Sequence, residues 1–314
     1  MTDELNDSLQ DIRSITGVEN VVLIQKDGLP VASAGIWFSK DEVFAVASAA
    51  CGIFGVVKLV HRDFKYLLME SDTSKVFLAA LPRTPNYFLT ITTAPRVNLA
   101  ALFIEMRSTL SRISYLLNEQ MSGSLPPLRS FSSEETKHVL RGFSVAEGRK
   151  DTQQISREVI SLTRRQTSEL RAILAQVHDN ISDVQSTFLA LSGGVRISLD
   201  GFTSDRLAAM SFALHDTSEQ VIRTLRNSKL HTVLCETNNR RHFIYDVPHG
   251  VFSLWVSKES QKLGLMRLLL KHYIAELRRA LKSASVSSPS LPDDLRDLLF
   301  SKRPDSELTV ARRD

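Results

Sequence analysis

The sequence predicts an α/β chain of the α+β kind. It reads as two tandem units, each running α-β-β-α-β-β-β-α and each building a five-stranded antiparallel sheet with helices on both faces. Three observations predict this. Residues 17–35 (GVENVVLIQKDGLPVASAG) return as residues 183–201 (DVQSTFLALSGGVRISLDG), so that Val18 matches Val184, Leu23 matches Leu189, Gly28 matches Gly194 and Val31 matches Ile197, each 166 residues on. Each copy is an apolar run, a Gly-centred turn and a second alternating run, which is a β-hairpin signal. The same offset carries Glu70 to Glu236, Phe77 to Phe243 and Pro82 to Pro248. Beyond those positions it becomes 164, carrying Leu99 to Leu263 and Leu117 to Leu281, as expected when one surface hairpin loses two residues.

In order along the chain, Leu5, Leu9, Ile12 and Ile15 share one helical face, and Gly17 is placed to end that helix. Strands are expected near 20–26 and 29–34, around an Asp27-Gly28 turn that tolerates positive φ. Ser39 or Asp41 can cap the next helix, Asp41–Val60. That helix is apolar almost all round and rich in small residues (Ala47, Ala50, Gly52 and Gly55), so something besides its own sheet must cover it. Strands near 65–71, 75–81 and 87–93 and an amphipathic helix near 97–117 complete the first unit, residues 1–120. Residues 121–150, with Pro126, Pro127 and many serines, read as a linker with one short helix near 133–141. Ile155, Val159, Leu162, Leu170, Ile173 and Val177 fall near one stripe. They predict a continuous helix of about 30 residues, roughly 45 Å long, leading into a diverged second unit that ends at 282. Residues 283–314 read as a disordered tail containing an amphipathic stretch at 291–300.

Composition bounds the function. The chain has 314 residues, a mean hydropathy of −0.08 and 43% apolar residues, which suits a soluble globular protein. No apolar run reaches the roughly 20 residues of a membrane span; the nearest is 43–60, broken by Lys58. An acidic N-terminus is unlike a signal peptide, and Cys51 and Cys235 read as reduced core residues of a cytoplasmic protein. Residues 1–120 carry 11 basic and 13 acidic side chains, whereas 121–282 carry 23 and 16. A basic second half suits an anionic partner without choosing among protein, lipid and nucleic acid. There is no phosphate loop, no C-x-x-C, no H-E-x-x-H and no nucleophile elbow, and the eight histidines show no metal-ligand spacing. We therefore expect no catalytic residue, no cofactor and no metal. Glu70 and Glu236, at equivalent strand ends, read as a kept turn feature.

The run from Ile15 to Ile24, the turn Asp27-Gly28-Leu29-Pro30-Val31, the helix at Asp41 and the strand from Phe77 to Leu81 resemble the Roadblock / dynein light chain family. The resemblance covers residues 5–117 well and 168–281 by pattern, with Asp183 and Arg196 standing where the first copy has Gly17 and Pro30. It implies two profilin-like domains and side-by-side pairing, the third strand of one sheet against the third of the next, with the second helices packed across the junction. In this chain that places Val43, Ala47, Ala50 and Phe54, with Leu207, Met210 and Leu214, between the helices. It places Tyr66, Leu68 and Glu70 against Val233 and Cys235 between the strands. The pairing is expected either inside one chain or between two copies or another Roadblock protein, and a charge at Ala47 should disrupt it. The resemblance also implies a non-catalytic platform for a small Ras-like GTPase, with Arg240 and Arg241 at an exposed turn as residues to test. The alternatives are a structural adaptor without a GTPase, a small-molecule sensor, and a nucleic-acid binder through the basic half.

Overall fold

The computed structural model describes residues 2–35, 40–119, 159–199, 205–260, 262–282 and 284–287. The linker, the short helix near 133–141 and the stretch at 291–300 therefore lie outside the described residues, as does most of the tail; within the tail, expected to be disordered, Ser285–Ser287 instead form a strand. The first unit runs α1 (Thr2–Arg13), β1 (Val18–Gln25), β2 (Pro30–Gly35), α2 (Lys40–Val60), β3 (Phe64–Ser71), β4 (Lys75–Ala80), β5 (Tyr87–Thr93) and α3 (Leu99–Glu119). After a short strand, β6 (Val159–Ser161), the second follows the same order. Its elements are α4 (Arg164–Asn180), β7 (Val184–Leu191), β8 (Arg196–Ser198), α5 (Asp205–Arg226), β9 (Leu230–Thr237), β10 (Arg240–Val247), β11 (Gly250–Ser257) and α6 (Leu263–Leu281). A last strand, β12 (Ser285–Ser287), pairs with β6.

All ten strands of the two units form one sheet, in the order β2-β1-β5-β4-β3-β9-β10-β11-β7-β8. Every pairing is antiparallel. Alternation along the strands sends one set of side chains to each face. One core holds residues of α1, α3, α4 and α6, while α2 and α5 share the opposite core.

Three sequence expectations need correcting. The helix before β7 does not run on from residue 152 but begins at Arg164. The Thr163 hydroxyl accepts from the Gln166 backbone N–H and the Gln166 side chain accepts from the Thr163 N–H, a reciprocal cap that closes the helix start. Residues 159–161, whose apolar spacing suggested helix, pair with β12 instead. Thr163→Ala should cost about 1 kcal/mol, read as a lower urea midpoint with an unchanged slope. Second, α1 stops at Arg13, so Gly17 is not its cap; Gly17 takes φ +91° in the turn into β1, with the Val97 backbone close by. Its counterpart Asp183 holds φ +59°, a conformation an Asp side chain tolerates better than most. Third, Asp41–Val60 is, by length and composition, long and apolar enough to cross a bilayer, although 44% of its apolar window is buried in the fold. The loop shortened by two residues is the turn at Pro248 and His249 between β10 and β11.

Candidate functional site

The centre of the molecule is the seam where β3 meets β9. Its register is Tyr66 opposite Glu236, Leu67 opposite Cys235, Leu68 opposite Leu234, Met69 opposite Val233 and Glu70 opposite Thr232. Leu68 thus faces its own counterpart 166 residues on, so a pseudo-two-fold axis passes through that pair. Each strand would otherwise present an open edge of unpaired N–H and C=O groups, and the seam closes both.

On one face of the seam Leu68 and Leu234 are buried together, with Glu70 and Glu236 placed symmetrically about them. Lys75 donates to Glu70 at 2.7 Å and its counterpart Arg241 donates to Glu236 at 3.1 Å. Each carboxylate also has bonds of its own. Arg267 of α6 reaches across to Glu70. Lys258 lies 2.8 Å from Glu236, and the Tyr66 hydroxyl donates to Glu236 from the other unit at 2.9 Å. Burial pushes both carboxyls up, but these cations and hydrogen bonds more than offset it and hold both below the usual carboxylate range. The glutamates read as turn features are therefore the two charged clamps of the seam.

On the opposite face α2 packs against α5. Val43, Ala47, Ala50 and Phe54 are buried there, as are Leu214, Val233 and Cys235, while Leu207 is half-buried against the same core. Met210 is half-buried and lies outside that core's buried set. Phe54 stacks on Phe88 of its own sheet, ring centroids 4.2 Å apart. Of the two arginines singled out at the β9–β10 turn, Arg240 is exposed and Arg241 is engaged by Glu236.

Where α2 ends, the fold joins two histidines separated by 181 residues. His61 Nε2 lies 3.0 Å from His242 Nδ1, and His242 Nε2 lies 2.9 Å from the Ser253 hydroxyl. With both rings protonated on Nε2, His61 donates to His242, which donates to Ser253. Trp255 stacks on His242, centroids 4.1 Å apart, and closes the group from the side. Burial pushes His61 down to about 4, and burial with the neighbouring His61 pushes His242 well below the usual range. Nothing in the sequence spacing signals this pair. Among the described residues no group of three or more His, Cys, Asp or Glu is arranged to hold a metal ion.

The outer surface of α2 stays partly open even with α5 packed against the helix. Gly52, Gly55 and Leu59 are exposed, Leu59 to 80%, and Ala45, Ser48, Ala49 and Val56 are only half-buried. These positions recur every three or four residues along one helical strip; Ala49 and Val56 also pack against the α2–α5 core, and Gly52, Gly55 and Leu59 are the open part of the strip. On α5, the exposed residues Arg206, Asp216, Gln220 and Arg223 contrast with that strip.

No family model and no curated protein matches the sequence. Comparison with solved structures does find neighbours. A Roadblock/LC7 domain from Streptomyces avermitilis matches at 18% identity over 37% of this chain and 97% of that one, with a TM-score of 0.31. The chain is similar to Roadblock domains. Myxococcus xanthus MglB matches at 17% identity over 36% of this chain and 94% of its own, TM-score 0.33. The gliding protein MglB from Thermus thermophilus matches at 10% identity over 38% and 91%, TM-score 0.34. Each of these neighbours matches a little over a third of this chain and nearly all of itself.

Proposed function

We propose that this chain is a self-contained Roadblock-like pseudo-dimer that serves, without an active site of its own, as a cytoplasmic docking platform for a small Ras-like GTPase. The observation that carries the proposal is the outer strip of α2. An apolar helical strip left open beside the polar surface of α5 is the kind of surface a folded partner covers. The β3–β9 seam supplies a pairing that separate Roadblock subunits would obtain from one another, so docking needs no second copy of this chain.

The test is retention of partners from the source cell on purified protein, in parallel with GDP and a non-hydrolysable GTP analogue. A GTPase held only with the analogue supports the platform reading, and single-turnover hydrolysis would then show whether its rate changes. The same partners in both lanes support a structural adaptor. Gly52 and Gly55 provide the matching variants, because a Cβ added at either meets no atom within 4 Å. Gly52→Arg should leave the fold intact, costing no more than about 1 kcal/mol. It should weaken partner retention at least about tenfold, the effect of placing a charge in an apolar contact. Unchanged retention would remove α2 from the docking surface.

A further inference from the structure

A cavity of about 660 Å³ opens at one end of the first unit, between the start of β3, the β4–β5 turn, α2 and α3. Its size is that of a site for a small organic molecule. The inner wall is apolar and aromatic: Phe54, Tyr66, Tyr87, Phe103 and Met106, with the Tyr66 and Phe103 rings 4.9 Å apart. The rim is cationic, formed by Lys58, Lys65, Arg83, Arg107 and Lys258. Against these five stand two carboxylates, Asp63 and Glu236. Glu236 is already taken by Lys258, Arg241 and Tyr66, and Asp63 accepts from the Asn238 backbone N–H at 3.3 Å. Among the described residues, Lys58, Lys65, Arg83 and Arg107 form no ion pair. Lys65 loses some of its hold on a proton through partial desolvation and through Lys258 and Arg107 beside it. Like charges gathered at the mouth of an apolar cavity are relieved by an anion, and the aromatic wall requires that anion to carry an apolar body.

The second unit does not repeat this chemistry. The counterparts of Lys65, Tyr66, Phe103 and Arg107 are His231, Thr232, Arg267 and Lys271. The aromatic wall is gone, and Arg267 is turned to Glu70.

We infer that the cleft between α2, α3 and the β4–β5 turn is a binding site for a small amphiphilic carboxylate. The carboxylate would sit between Lys65 and Arg107, and the aromatic or acyl body would lie on Phe103, Tyr66 and Met106. The site stands on its own geometry and does not depend on the platform reading.

The experiment is calorimetric titration of the full chain with 2-naphthoate and with laurate, each against its neutral alcohol. The expected result is saturable 1:1 binding of at least one acid, with its alcohol weaker by about tenfold, the worth of a charge-assisted contact. Arg107→Ala and Lys65→Ala should each weaken the acid by a similar factor, and Lys271→Ala on the counterpart position should leave it unchanged. Thermal unfolding of the three variants checks the fold. No saturation by either acid near about 1 mM, a range that reads even weak sites, would overturn the proposal. So would equal binding of acid and alcohol, or indifference to both Arg107→Ala and Lys65→Ala. Gly52→Arg should bind the acids normally, which separates this site from the α2 surface.

Discussion

Leu68→Asp should lose at least about 4 kcal/mol of folding stability, because it places a carboxylate in an apolar seam between Leu234 and the α3 and α6 side of the core. Leu68→Ala, which leaves a cavity and no charge, should cost about 2–5 kcal/mol. Urea unfolding followed by circular dichroism and by tryptophan fluorescence is the measurement. Because one sheet runs through both units, the two probes should report a single coincident transition in the parent chain. Leu68→Ala should move both probes together to lower urea. A loss below about 1 kcal/mol in Leu68→Asp, the range of ordinary surface substitutions, would mean that the two units stand without their seam. Separate transitions for the two probes would say the same.

Acidification should weaken the same junction from its other face. His61 and His242 are held neutral in the fold, His61 with its pKa pushed down to about 4 from an ordinary 6.5. Between those two values the unfolded chain binds a proton that the folded chain refuses. Stability is therefore full above about pH 6.5 and falls as pH drops toward 4. The His61 shift alone is worth about 3 kcal/mol when fully expressed. His215, lowered by burial, acts in the same direction. Glu70 and Glu236, both held below the usual range, take over as their carboxylates are protonated below about pH 4.5. The expected result is a drop of roughly 2–4 kcal/mol between pH 7.5 and pH 5. The double variant His61→Gln, His242→Gln should flatten most of that slope while lowering stability at neutral pH. Trp255 provides a local readout: with Trp37→Phe it is the only tryptophan left, and its emission should change as the stacked imidazole becomes charged. A parent chain equally stable at both pH values would contradict the neutral-pair account.

How much of this was legible in the sequence depends on how local each signal was. The paired hairpins could be read because Gly28 and Gly194 punctuate two apolar runs of matching length. The need for cover on α2 could be read because its apolar residues leave no polar face. The start of α4 was missed although its signal is local. Thr163 and Gln166 spell a capping box, yet the stripe from Ile155 through Val159 and Leu162 suggested a helix already under way. The partners of residues 159–161 are residues 285–287, at the far end of the second unit, and no local pattern encodes that pairing. The histidine pair and the cationic cleft were illegible for the same reason. His61 and His242, or Lys65 and Lys258, become neighbours only after β3 and β9 join. Glu70 and Glu236 were visible as a matched pair, but their role needed Arg267 and Tyr66, which come from elements no spacing rule connects to them.

The seam between β3 and β9 joins two units that are covalently one molecule. Subunits of an ordinary symmetric dimer separate on dilution and exchange partners; here neither can happen without opening the sheet itself. Symmetry is also no longer enforced. In a homodimer every substitution appears twice, so both sides of the axis must change together. In this chain Phe103 could remain while its counterpart became Arg267, and the greasy α2 could remain beside a polar α5. The result is a molecule with a left and a right. The two sides differ in charge and in apolar surface, so whatever docks on one side would not find the same surface on the other.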